Sequence, residues 1–168
     1  QVRNNALTPE SRKILNSRYN PYFQTDKNGE YYITLSTHNS KVDAINRREL
    51  DALEAESFTY QAREKDTFPE SMYPIDETLT LKVGAKVMFV KNDSSQEKLY
   101  YNGKLATVTA LSKNEIHVIC EDGKEVDVHT ETWENLRYIS ETGSNEVQVE
   151  VIGSFTHFPL RLAWAITI

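Results

Sequence analysis

The chain has 168 residues, 26% charged and 39% hydrophobic, with a formal net charge of −6 at pH 7. That length can bury a good core, as one domain with an insertion or as two small domains, and the acidic balance argues against a protein that coats nucleic acid through a broad basic surface. The single cysteine, Cys120, excludes an intramolecular disulfide, argues against a cysteine-based zinc site and fits a reducing, intracellular compartment. No stretch approaches the roughly 20 apolar residues needed to cross a bilayer, and the opening Gln1-Val2-Arg3-Asn4 has no secretory leader pattern, so a soluble protein is expected.

In chain order, Thr8 is placed to cap a first helix, with Pro9 at its first position, Ile14 and Leu15 on an apolar stripe and Asn20-Pro21 as the stop. A polar turn at 26–29 precedes a short apolar and β-branched run at 31–36, the pattern of a buried strand in a parallel sheet. Thr37-His38-Asn39-Ser40 leads into a helix from 41 to about 55, with Val42, Ile45, Leu50 and Leu53 at helical spacing. Strand, polar turn and amphipathic helix together open a βαβ unit. A strand at 57–63 comes next, and residues 64–78, with Phe68-Pro69, Tyr73-Pro74 and five acids, read as a surface linker.

From Leu79 the pattern changes to short strands, at 79–83, 85–91, 104–111, 115–121, 125–129 and 136–139. They are separated by turn signals at Val83-Gly84, at 92–98 with Asn102-Gly103, at Lys113-Asn114 and at Asp122-Gly123. Five or six strands in about 60 residues imply a small closed barrel, because an open sheet of that size leaves exposed edges. Val87, Phe89, Val108, Ile116, Val118 and Val126 fall on its inner face, and Cys120 continues the alternation as a small buried residue. Through Gly143-Ser144-Asn145 the chain returns to a strand at 147–152 and closes on an apolar segment at 158–168, a stop that suggests continuation into a larger protein.

None of the six glycines lies five residues ahead of a Gly-Lys pair, so the Gly-Lys pairs at 103 and 123 are not Walker A loops. The four histidines, His38, His117, His129 and His157, lack metal-ligand spacing, and neither a metal site nor a catalytic residue is assigned. His117 and His129, on predicted strands, read as surface or partly buried residues. The turn Thr37, His38, Asn39, Ser40 is different. It lies at the C-terminal end of a predicted parallel strand and before a helix N-terminus, where α/β proteins bind ligands and free backbone N–H groups favour phosphate. Its hydroxyl, imidazole and amide groups make it a candidate for holding a nucleic-acid backbone, and capping of the helix by Asn39 is the plainer and compatible alternative. Six lysines against two acids between 79 and 113 allow a local basic surface or simply a solvated face. Within it Tyr100 and Tyr101, beside Lys98 and Lys104, could stack bases, although packing inside the barrel is favoured.

The run Thr37-His38-Asn39-Ser40-Lys41-Val42-Asp43-Ala44-Ile45-Asn46-Arg47-Arg48-Glu49-Leu50 resembles the motif IV region of superfamily 1B DNA helicases of the petite-integration-frequency and RecD-like group. Residues 79–92 are similar to that family's "L.LK.GA.VM...N" pattern, with Tyr101-Asn102-Gly103 at the Asn-Gly turn beyond it. Residues 159–168 are similar to the strand that in the family runs into a His-Lys-Ser-Gln-Gly motif, and residues 2–10 also resemble the segment preceding motif IV. The resemblance implies an α/β fold with an inserted all-β barrel. Residues 1–78 and 140–168 would be parts of a RecA-like (P-loop NTPase-type) domain 2A, and 79–139 an SH3-like barrel, domain 2B. The parent would be a monomeric or weakly associating ATP-dependent 5′-to-3′ DNA helicase, using ATP and magnesium on single-stranded DNA or a DNA fork. Its settings would be DNA repair, recombination or telomere maintenance.

To the turn residues Thr37, His38, Asn39 and Ser40, expected to contact DNA from their position, the resemblance adds Thr167, because it opens another such segment. Lacking the Walker motifs and the His-Lys-Ser-Gln-Gly run, this fragment would bind no nucleotide and be inactive alone. The alternative is a free-standing SH3-like barrel module that binds protein or nucleic acid. One contact separates the two readings: the strand of Ile33 and the strand of Ile166 share a sheet only if the barrel is an insertion.

Overall fold

The computed structural model describes residues 4–23, 32–140 and 147–168. The expected turn at 26–29, Tyr31 and the return through Gly143-Ser144-Asn145 lie outside them. Residues up to Tyr32 form one compact unit and Ile33 onward a second. In the first, α1 (Pro9–Ser17) begins where the sequence places it. The extended Thr8 accepts the Ser11 amide through its hydroxyl at 3.2 Å, with Pro9 in the first turn, where a missing N–H costs nothing. No residue of α1 is buried. Phe23 and Tyr32 meet edge to face, with centroids 4.8 Å apart.

The second unit runs β1 (Thr34–Ser36), α2 (Asn39–Asp51), β2 (Ser57–Gln61), β3 (Arg63–Asp66), a 3-10 turn (Glu70–Met72), β4 (Thr78–Lys82) and β5 (Lys86–Phe89). It continues with β6 (Leu105–Leu111), β7 (Ile116–Cys120), β8 (Glu125–Val128), β9 (Glu131–Ser140), β10 (Val147–His157), β11 (Leu160–Leu162) and β12 (Ala165–Thr167). β1 and β12 pair in parallel, Thr34 opposite Ala165 and Ser36 opposite Thr167. Strands at the two ends of this unit therefore share one sheet, the contact that an inserted barrel requires. α2 packs on both strands and buries Val42, Asn46 and Leu50, one residue per turn of a single face. It begins two residues earlier than the sequence indicated and ends at Asp51, where the Lys82 ammonium donates to the Leu53 carbonyl at 2.8 Å just beyond the last turn.

Between these ends lies a five-stranded antiparallel sheet in the order β11-β5-β6-β7-β8. Its core contains Leu81, Val87, Phe89, Val108, Ile116, Val118, Val126 and Leu160, so all six residues expected on the inner face are buried. Cys120 is buried as expected, and burial pushes its thiol pKa up. The edge strand β11 comes from outside 79–139 and pairs with β5, Leu160 opposite Phe89. β4 pairs instead with β2, in a separate two-stranded sheet.

The segment read as a linker, 64–78, needs correction, because it opens with most of β3. β3 forms the edge of a fourth sheet, β3-β10-β9. Its four residues, Arg63, Glu64, Lys65 and Asp66, are all exposed and charged, so the strand is held by backbone bonds and leaves no apolar alternation to read. β9 and β10 are also longer than expected. They form one antiparallel hairpin from Glu131 opposite His157 out to Ser140 opposite Val147, with a bulge between Val151 and Gly153.

Candidate nucleic-acid interface

β1 stops at Ser36, whose side chain shapes the turn into α2: the Ser36 hydroxyl accepts the His38 amide at 3.3 Å. His38 is extended (φ −126°, ψ 120°), and its carbonyl takes the first helical bond, from Val42 at 3.2 Å. His38, not Asn39, is therefore the N-cap residue of α2, and it makes no side-chain cap bond. The capping role assigned to Asn39 is corrected because its side chain turns elsewhere: its Oδ1 accepts the Thr167 hydroxyl at 2.5 Å, across 128 positions of sequence. Thr37 Oγ1 and His38 Nδ1 lie 2.9 Å apart.

Thr37, His38, Asn39 and Ser40 are all exposed, and Thr167 is partly buried beside them. The structure thus brings all five of these residues to one rim, at the C-terminal edge of two parallel strands and the N-terminus of a 13-residue helix. Orphan amides and the positive end of the helix dipole favour an anion at such a place. No carboxylate occurs between Thr37 and Val42, and the side chains there offer hydroxyls, an imidazole, an amide and the Lys41 ammonium. That donor set suits phosphate oxygens.

One residue of this region, named in the motif IV run, was given no role of its own by the sequence. Asn46 is buried on the inner face of α2, where its Nδ2 donates to the Ala165 carbonyl at 3.0 Å and its Oδ1 accepts the Ala165 amide at 2.9 Å. The signal was available: a polar residue one turn after Val42 and one turn before Leu50, on the face that must be apolar.

The second group of candidates does not hold together. Tyr100 is 7% exposed and stacks on Phe89 with centroids 4.0 Å apart, so it belongs to the core and offers no face to a base. Lys104 is equally buried; its ammonium donates to the Leu99 carbonyl at 2.8 Å and the Asp122 carboxylate at 3.0 Å, which leaves it unsuited to a phosphate. Tyr101 and Lys98 remain exposed, Lys98 donating to the Asp93 carbonyl at 2.9 Å. His117 faces Asp127 at 2.5 Å on the surface, and His129 is exposed. Among the described residues, no group of three or more His, Cys, Asp or Glu side chains could hold a metal, and no helix is long and apolar enough to cross a membrane.

No protein-family model matches the chain. The ATP-dependent DNA helicase Pif1 of a Psychrobacter species is 31% identical over 182 residues, a match covering 80% of this chain and 27% of the relative. Unliganded Pif1 from a Bacteroides species is similar in structure with a TM-score of 0.86 at 40% identity, covering 99% of this chain and 37% of that one. Bacteroides Pif1 bound to single-stranded DNA is similar at 0.73, over the same shares of the two chains. The chain spans about a third of the length of the relatives it matches.

Proposed function

This chain belongs to the Pif1-like helicase family, and on that premise we propose that it supplies the strand-gripping surface of an ATP-dependent 5′-to-3′ DNA helicase. In this reading the β1–β12 sheet with α2 is part of a RecA-like domain 2A, and the five-stranded sheet is an inserted SH3-like domain 2B that borrows β11 as an edge. Thr37, His38, Asn39, Ser40 and Thr167 hold the sugar-phosphate backbone of single-stranded DNA or of the single-stranded arm of a fork.

The observation that carries this reading is the parallel pairing of β1 with β12, which sets Asn39 against Thr167 at one exposed rim. The same pairing speaks against a free-standing barrel module, whose flanks have no reason to share a sheet. ATP and magnesium would act in the parent protein, which we take to work as a monomer. The sequence has no Walker A spacing, and in this reading the nucleotide site lies mainly in the rest of the parent. Purified alone, the chain should therefore neither hydrolyse ATP nor unwind DNA, and turnover that survives stringent purification would refute that part of the reading.

The test of the rim is a Thr37→Ala, His38→Ala double change in the full-length parent. Single-strand affinity, measured by fluorescence anisotropy, should fall by about 1 to 3 kcal/mol, the range for one or two lost hydrogen bonds to a charged phosphate. The loss should be nearly the same on several base sequences, since phosphate contacts carry no direct sequence information. Unchanged binding would leave the turn as an ordinary helix start.

A further inference from the structure

Backbone polar groups alternate from one side of a strand to the other, so each edge of β12 can be assigned. The Trp164 carbonyl accepts the Thr34 amide at 2.9 Å and the Ile168 amide donates to the Ser36 carbonyl at 3.0 Å, so these groups face β1. The backbone groups of Ala165 and Thr167 then face the opposite edge. At that edge Asn46 meets both groups of Ala165, donating at 3.0 Å and accepting at 2.9 Å. Being 7% exposed, this side-chain amide stands where the backbone of a neighbouring strand would stand. Asn39, seven positions earlier and about two turns up the same helix, is bonded to Thr167 two residues further along β12. The helix therefore holds the strand at two points, one buried and bidentate, the other at the exposed rim.

We propose that Asn46 is the positioning residue of the rim: by fixing the register of α2 against β12 it sets the Thr37 to Asn39 turn and Thr167 at the spacing that one DNA backbone bridges. The proposal rests on the reading of that rim as a backbone-binding surface. Asn46 itself touches no ligand. Only a side chain that both donates and accepts at that place serves Ala165 fully, and an apolar replacement leaves two buried backbone groups without partners.

The test uses Asn46→Asp in the full-length parent. An ionised carboxylate accepts the Ala165 amide but has no proton for the Ala165 carbonyl, whereas the neutral acid donates and accepts as asparagine does. Burial raises a carboxyl pKa, so the neutral form returns as pH falls from about 8 towards about 5.5. At the upper pH, single-strand affinity should be about tenfold weaker than that of the unchanged protein, the equivalent of one lost hydrogen bond. At the lower pH the two should agree within about twofold, while ATP affinity without DNA stays equal throughout. Taking the ratio to the unchanged protein at each pH removes every pH effect that the two proteins share.

A ratio near one at every pH overturns the proposal, and so does a tenfold loss that never recovers, which would mark general damage. The Thr37→Ala, His38→Ala protein separates the two readings. If it binds normally, the rim itself is misread; if it binds weakly while Asn46→Asp binds normally at the upper pH, only the role of Asn46 is wrong. Should Asn46→Asp not fold at the upper pH, Asn46→Gln keeps both polar groups and displaces them by one methylene. It is expected to fold and to lose strand affinity, and unchanged affinity there overturns the proposal.

Discussion

Gly153 meets the carbonyl oxygen of Thr67 so closely that a Cβ at position 153 would stand 2.2 Å from it. The contact lies at the bulge of β10, and Thr67 is not free to retreat. Its amide donates to the Ile152 carbonyl at 2.9 Å, and its carbonyl accepts the Asn135 side chain at 2.8 Å. Gly153→Ala should therefore destabilise the protein by about 1 to 3 kcal/mol, the usual cost of forcing atoms into a packed site. Urea unfolding measures this directly, and an unchanged midpoint would mean that the backbone at Thr67 gives way.

Val108 tests the core of the five-stranded sheet. It is 1% exposed and pairs with Val118, while its amide and carbonyl bond Ala85 and Gly84 at 2.9 and 2.8 Å. An unpaired carboxylate there costs about 3 to 5 kcal/mol, against roughly 5 to 15 kcal/mol for a whole domain. Val108→Asp should largely unfold the chain, as followed by circular dichroism on heating. A normal melting temperature would contradict this placement of β6.

How much was legible in the sequence depends on where each signal originates. The Thr8-Pro9 helix start and the inward residues from Val87 to Val126 were readable because capping and alternation are local. β3 was not, because an edge strand of Arg63, Glu64, Lys65 and Asp66 carries no apolar face. β11 was visible as an apolar run, but its pairing with β5 is a tertiary choice that no local pattern states. Tyr100 and Tyr101 are neighbours, and one points into the core while the other is 61% exposed. The irregular loop before them gives no period from which to tell which is which. The rim was legible through the strand, turn and helix order, whereas Asn46, although part of the motif IV run, carried no sign of its bond to Ala165, which is a tertiary contact.

His157 gives the protein a pH dependence. It is 1% exposed, its Nε2 has no hydrogen-bond partner among the described residues, and burial pushes its pKa below the ordinary 6.5. The unfolded chain therefore takes up a proton on this residue that the folded chain resists. The resulting stability is fully present above pH 6.5 and is lost as pH falls from there through the depressed folded value, by about 1.4 kcal/mol for each pH unit between the two. Replacing His157 by Phe removes the titration. The stability difference between the natural protein and this variant, from urea curves at several pH values, should shrink or turn against the natural protein as pH drops below 6.5. A difference independent of pH would show that His157 is protonated to the same extent in both states.

Glu131 ties the base of the β9–β10 hairpin to the loop between β5 and β6. Its carboxylate accepts the Ser94 hydroxyl at 2.8 Å, the Lys91 ammonium at 3.1 Å and the Tyr100 hydroxyl at 3.3 Å. Burial by itself would raise its pKa, but the bonds from Ser94 and Lys91 outweigh that and hold it below the ordinary carboxylate value. The sign is then the reverse of that for a raised carboxyl: this contribution is present above the unfolded pKa of 4.5 and is lost as pH falls through the folded value. Glu131→Gln keeps the shape and removes the charge, and should cost about 1 to 3 kcal/mol near neutral pH, the range for hydrogen bonds to a charged group. Because Tyr100 donates to the same carboxylate while stacked on Phe89, Tyr100→Phe and Glu131→Gln should not be additive. In a double-mutant cycle followed by urea unfolding, the second change should cost less once the first is made, by about 0.5 kcal/mol or more. Strict additivity would separate the hairpin base from the core ring and leave Glu131 coupled to Ser94 and Lys91 alone.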